Sequence, residues 1–183
     1  TLYQRSANLS FGKEYVNLSL TGVFPNFPEV ETVKLSEGRF INEMDIQQRR
    51  KVVVLNVKTA DILFGKTHTN PIGQNVKTGG IVYQVIGLYK DQGDNSSSDA
   101  YIPFTTLQII YNKGDKLNNI VFTTKNLKSI EDNEAFEAQY RKVLGANHRF
   151  DPTDNSAIWI WNRFTNYLRN MGAMNMLRIA IWV

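Results

Sequence analysis

The order of elements along the chain predicts an α+β fold, and three observations carry that prediction. Strand-type runs (Tyr15–Val23, Val52–Leu55 and Ile81–Lys90) alternate with helix-type runs (Val57–Phe64 and the segment opened by Ser129). Apolar residues make up 42% of the 183 and charged residues 21%, enough to bury a core and too apolar for disorder. Turn chemistry at Asn70-Pro71-Ile72-Gly73 and Gly79-Gly80 falls between those runs.

Tyr15–Val23 alternates Val16, Leu18 and Leu20 with Asn17, Ser19 and Thr21, the period of a half-buried strand. Pro25 and Pro28 break the ladder, and Asn26 can cap a short turn of helix. Lys34–Phe40 reads as a linker, and Glu43–Lys51 as a polar helix or loop. The continuous apolar run Val52–Leu55 marks a strand covered on both faces. Asn56 is placed to cap the helix Val57–Phe64, which Gly65 ends. Val76 starts a strand, and Gly79-Gly80 reverses the chain into Ile81–Lys90. Asp91–Asp99 is a polar loop leading to Ala100–Pro103, after which Thr105 or Thr106 caps a helix through Tyr111. Asn118–Thr124 reads as the last strand. Ser129 opens a helix with acids first and Arg141 and Lys142 late, the order the helix dipole favours, and Gly145 is expected to stop it. Phe136, Tyr140 and Val143 or Leu144 form its apolar stripe.

From Ala157 onward the pattern is helical and increasingly apolar, ending Ile179-Ala180-Ile181-Trp182-Val183 without a cap. The residues from Met171 cover roughly 20 Å as helix, short of the roughly 30 Å of bilayer hydrocarbon. Two readings stand on this pattern alone: a transmembrane helix cut in its first half, or a buried terminal core helix. The start at Thr1 carries no signal-peptide pattern, and a further N-terminal segment is expected upstream.

Chemistry is sparse. The chain has no cysteine, which excludes disulfides, thiolate zinc sites and thiol nucleophiles. His68 and His148 stand eighty residues apart in no metal spacing and read as surface loop residues. No GxSxG, SxxK, GxGxxG or Walker pattern occurs, and Gly65-Lys66-Thr67 follows a helix rather than opening one. Asp91, Asp94, Asn95 and Asp99 lack the order of a calcium loop. Glu43 and Asp45 read as exposed acids. The net charge of +4 has one tight basic cluster, Arg49-Arg50-Lys51, too narrow for a nucleic-acid face and read as a solvated turn. Gly38 and Gly87 permit tight turns or close backbone approach, and Val82, Val85 and Ile86 join Val52–Leu55 as core. No metal, cofactor or catalytic set is expected.

Six ordered pieces together resemble a family. They are GRFINEMD (Gly38–Asp45), RRKVVVLN (Arg49–Asn56), ILFG (Ile62–Gly65), NPIGQNV (Asn70–Val76), YQVIGLYKDQG (Tyr83–Gly93) and AYIPFTT (Ala100–Thr106). Their order and spacing are similar to those of the MacB-like periplasmic core domain of ABC transporter permeases, relatives of the FtsX and lipoprotein-releasing permeases. The resemblance implies a porter-like βαβ subdomain from residues 1–47 and 112–183, with a small α/β subdomain inserted at 48–111. It implies that 172–183 begin a transmembrane helix, with the domain on the periplasmic side of the inner membrane. It implies a second permease protomer, a cytoplasmic ATPase domain or subunit, and a periplasmic adaptor or lipoprotein as partners. The helix from Asn162 to Val183 is a lever in this reading, and Trp161, Phe164, Leu168 and Met171 recur at spacings of three, four and three. That stripe would seat the helix against the domain or a second protomer. The alternative class, a ligand-sensing extracytoplasmic receptor domain, needs a concave pocket with convergent polar groups.

Overall fold

The computed structural model describes residues 1–31, 33–90, 99–163, 165 and 167. By internal contacts the chain forms two units, Thr1–Thr123 and Thr124–Val183.

In the first unit the described residues form seven strands: β1 (Leu2–Phe11), β2 (Glu14–Val23), β3 (Lys34–Gly38), β4 (Val52–Asn56), β5 (Asn75–Thr78), β6 (Ile81–Lys90) and β7 (Asp99–Pro103). Four α-helices interrupt them: α1 (Phe27–Glu31), α2 (Glu43–Gln47), α3 (Val57–Phe64) and α4 (Phe104–Ile110). The strand order is β3-β6-β4-β7-β2-β1-β5, and β5 also pairs with β6, so six strands close into a ring with β3 as an appendage. β6 makes this possible by dividing one of its edges. Ile81–Gln84 pairs antiparallel with β5, while Gly87–Lys90 pairs antiparallel with β3. Its other edge runs parallel to β4. The ring closes narrowly on its far side, where Ser10 pairs with Lys77 and its Oγ donates to the Lys77 carbonyl at 3.2 Å.

The strand and helix patterns hold where local chemistry decides. All five residues of β4 are buried, as a run with no polar alternation demands. Each fully buried aliphatic side chain there contributes about 1.5–3 kcal/mol. Asn56 caps α3 by accepting from the Lys58 N–H at 2.9 Å. Gly79 and Gly80 both have positive φ in the hairpin that pairs Thr78 with Ile81. Val85 and Ile86 are buried, whereas Val82 is half-exposed.

Several expectations give way to tertiary pairing. Leu2–Phe11, to which the sequence assigned no element, is β1, antiparallel to β2. Lys34–Gly38, read as linker, is β3; all five residues are exposed, so no burial pattern announced it. Asn118–Thr124, read as a strand, is not one: Asn118 and Asn119 donate their N–H groups to the Thr1 carbonyl, and Ile120 is 60% exposed. Neither Thr105 nor Thr106 caps α4; the cap position is Pro103 and makes no side-chain bond. The hydroxyls instead donate to Ile46 O at 2.6 Å and Arg50 O at 2.9 Å. Segment 48–111 does not form a sheet of its own, because β7 pairs with β2 and β5 with β1.

In the second unit, α5 (Ile130–His148) opens with a capping box in which Ser129 Oγ accepts from Asp132 N–H at 3.1 Å and Asp132 accepts from Ser129 N–H at 3.2 Å. Gly145 does not end it. The helix continues one turn, placing His148 in its last turn rather than in a loop, and Arg149 adopts the left-handed cap conformation (φ 58°). Gly145 is buried because the returning chain lies on it: a Cβ there would stand 2.8 Å from Phe150 O. Phe136 and Tyr140 stack at 6.2 Å, and of the two residues offered to complete the stripe Leu144 is the less exposed.

At the β3–β6 crossing, Gly38 has φ +72° and Gly87 faces the Arg39 backbone so closely that a Cβ would overlap the Arg39 carbonyl. Gly87→Ala is therefore expected to destabilise the protein by about 1–3 kcal/mol, the cost of forced backbone shifts, measured by urea denaturation. An unchanged midpoint would refute the close-approach role.

Candidate functional site

Two polar nodes stand out, one in each unit. The first is built from the sequence around Gly38–Lys51. Arg39 N–H donates to Ile86 O at 2.9 Å, which fixes the backbone at the Gly87 crossing and sends the Arg39 side chain toward α2. Its guanidinium donates to both carboxylate oxygens of Asp45, at 2.6 and 3.1 Å. Arg50 approaches the same carboxylate at 3.6 Å. Asp45 also accepts from the Asn42 N–H at 3.0 Å, and Asn42 Oδ1 accepts from the Asp45 N–H at 3.0 Å, a second capping box.

Asp45, expected to be exposed, is completely buried, while the side chains of Arg39 and Arg50 remain 42% and 44% exposed. Burial by itself raises the Asp45 pKa. The Arg39 hydrogen bonds, the Asn42 N–H and the charges of Arg39 and Arg50 outweigh it and hold the carboxyl below its ordinary range. A basic cluster read as a solvated turn thus contributes one cation inward, with Arg49 at positive φ making the turn. Sequence reasoning missed this node; the signal that could have found it is the spacing of Asn42 and Asp45, a capping pair at i and i+3.

This node holds structure and offers no reacting group: the carboxylate is buried and already saturated by donors. Among the described residues no group of three or more histidines and acids is placed to hold a metal ion. Tyr83, fully buried, has its phenol pKa pushed up by burial, with Tyr111 adding to the shift, which keeps it neutral.

The second node is a joint in the unit from residue 124 onward. Asn162 Oδ1 accepts from the Thr165 N–H at 3.1 Å, the capping bond of a helix start whose residues 163, 165 and 167 are helical. Its amide nitrogen donates to Asn133 Oδ1 at 3.1 Å and Glu137 Oε1 at 2.9 Å. Asn133, 1% exposed, in turn donates to Ser129 O at 2.8 Å. One asparagine therefore both starts the last helix and fastens it to α5. Beside it, Trp159 and Trp161 lie 5.6 Å apart, 78% and 62% exposed.

Of the stripe singled out in the sequence, Trp161 is described and exposed; Phe164, Leu168 and Met171 lie outside the described residues. The apolar tail and the polar loop at 91–98 also lie outside them. No helix among the described residues is long and apolar enough to cross a membrane. A shallow concavity of about 550 Å³ runs along α5 past Glu134, Arg141, Lys142 and Pro152. It mixes charges of both signs and is open to solvent, unlike an enclosed ligand site.

Residues 2–143 match the family model of the MacB-like periplasmic core domain. The chain belongs to this family, the extracytoplasmic domains of MacB-like ABC transporter permeases. It is 30% identical over 155 residues to a macrolide export ATP-binding/permease protein MacB of Chlorobium luteolum, covering 82% of this chain and 23% of that relative. It is 26% identical to the crystallised periplasmic region of MacB from Actinobacillus actinomycetemcomitans, with a TM-score of 0.61 over 79% of this chain and 65% of that one. The extracellular domain of the noncanonic ABC-type transporter YknZ from Gram-positive bacteria shares the fold at 23% identity, with a TM-score of 0.69 over 82% of this chain and 75% of that one. The chain thus spans less than a quarter of the length of that full-length relative.

Two tests follow from the nodes. Asp45→Asn leaves two cations without their buried counter-charge; because both are partly solvated, the expected loss is about 2 kcal/mol rather than the 3–5 of a fully buried pair. A carboxyl whose folded pKa is depressed stabilises above its unfolded value of about 4 and loses that contribution as pH falls through the folded value. The gap between wild type and Asp45→Asn should therefore be constant near neutrality and close below about pH 4; a gap that persists in acid would refute the ion-pair account. Asn162→Ala should cost about 1–2 kcal/mol locally, read as faster amide exchange at residues 163–167 with β4 unaffected.

Proposed function

We propose that this domain stands between the first and second transmembrane helices of an ABC permease subunit in the inner membrane and passes their ATP-driven motion to cargo or to a periplasmic partner. ATP hydrolysis belongs in this reading to a cytoplasmic domain or subunit, and the domain itself catalyses nothing. The working assembly contains a second permease protomer and a periplasmic adaptor or lipoprotein. In this reading residues 1–47 and 112–183 make the porter-like subdomain and 48–111 the part inserted into it, the two sharing one sheet. Family membership supports the placement, and one observation carries the mechanical part: Asn162 caps the final helix and hydrogen-bonds to α5. A displacement arriving along that helix is delivered to α5 through short polar bonds rather than through a slack loop.

The test is Tyr167→Pro in the full transporter. Tyr167 is helical and 58% exposed, so the change spares core packing and strikes the helix backbone. The expected outcome is ATP hydrolysis near wild type with export abolished. Export at the wild-type rate would remove the lever.

A further inference from the structure

Asn118–Thr124 carries the residues of a strand without being one, and the backbone at Thr1 identifies the neighbour it would pair with. The Thr1 nitrogen donates to Asn119 O at 2.7 Å, and the Asn119 N–H donates back to Thr1 O at 3.3 Å. Two residues that exchange both bonds are the hydrogen-bonded pair of an antiparallel ladder. In one direction this ladder ends at once, because the Asn118 N–H turns to the same Thr1 carbonyl. In the other it points along Ile120–Thr123 and back along the chain that precedes Thr1. We infer that the residues immediately before Thr1 run antiparallel beside Ile120–Thr123 and make that segment a strand. The inference rests on the permease reading above, in which the domain follows a membrane helix and chain lies upstream of Thr1.

The side chains agree with the backbone. Ile120, Val121, Phe122 and Thr123 are all β-branched or aromatic, the types that favour strands. Ile120 is 60% and Phe122 44% exposed, and strand alternation puts the two on one face. In the register set by Thr1 and Asn119, the residue just before Thr1 stands opposite Ile120 and the third before it opposite Phe122. Cross-strand side chains at those positions cover both. Any other strand would have to be recruited to this edge from solution, whereas the preceding chain is covalently held beside it at Thr1 and pairs at high effective concentration.

The pairing has a mechanical consequence. In the permease reading the chain before Thr1 arrives from the first membrane helix, and the chain beyond Thr123 goes on through α5 toward the second. Laid side by side in one ladder, these two passages are stitched in fixed register. Neither slides along the other without breaking a row of backbone hydrogen bonds. β1 is then the inner end of a longer strand that also carries this stitch.

The experiment uses the full transporter in membrane vesicles, with any cysteine elsewhere replaced, since this chain has none. One cysteine is placed at the third residue before Thr1 and combined with Phe122→Cys, a pair whose Cα atoms lie roughly 4.5–5.5 Å apart in an antiparallel ladder, within reach of a disulfide. The controls combine the same upstream cysteine with Val121→Cys or Thr123→Cys, one residue to either side and facing the other way. After mild oxidation, protection of both thiols from a maleimide mass tag is expected at least about tenfold more for the Phe122→Cys pair than for either control. Equal protection in all three, none in the Phe122→Cys pair, or a linkage between two polypeptides would each overturn the inference. Labelling of Tyr15→Cys, a 64% exposed site on β2, by a membrane-impermeant maleimide in intact cells separates the two levels. If it labels and the Phe122→Cys pair stays open, only the strand pairing is wrong. If it does not label, the permease placement fails and this inference falls with it.

Discussion

The structure of the first unit depends on the divided edge of β6. A strand has two edges, and β6 must serve three neighbours: β4 along one side, and β5 then β3 along the other. The handover between β5 and β3 happens next to Gly87, where the Arg39 backbone comes so near that no side chain fits. That crossing aims Arg39 at Asp45, and Asp45 in turn anchors α2 through its capping box with Asn42. The threonines of α4 complete the arrangement by donating to the carbonyls of Ile46 and Arg50 on either side of the same turn. The ion pair and the seating of α4 thus gather around one close backbone approach.

What was legible in the residues is what local chemistry determines. Val52–Leu55 could only be a strand buried on both faces, Asn56 could only be useful as a cap, and Gly79-Gly80 supplied the two positive φ angles a tight hairpin requires. What escaped depends on partners distant in sequence. β3 is exposed throughout, so its period says nothing; it is a strand because β6 offers it an edge. Asn118–Thr124 has the β-branched content of a strand and joins no sheet edge among the described residues. Asp45 looked like any surface acid because its counter-charges, six and five residues away, meet it only after the turn at Arg49 has formed. The Thr105 and Thr106 hydroxyls were assigned to a helix end, a sound local rule, but carbonyls more than fifty residues back compete for them and win. Of the candidate stripe, Trp161 was legible as an apolar residue; its exposure was not.

The resemblance of six short pieces acquires a physical meaning here. Gly38, Arg39, Asp45, Arg50 and Gly87 sit in three of those pieces and converge at the β6 crossing. A match ending at residue 143 covers the closed sheet and most of α5, and leaves the Asn162 joint outside it.

Closing the ring has a further effect on how such domains tolerate crowding. A sheet that ends in two long bare strands invites another molecule to add to it, and copies held side by side on one surface would be prone to polymerise through their backbones. In this sheet β3 is the terminal strand on one side, five residues long, irregular between Leu35 and Glu37 and opened by Lys34, while β1 meets β5 on the other side only where Ser10 pairs with Lys77. An added strand would find at β3 only a short, irregular edge that begins with a lysine, which disfavours growth of the sheet from that side.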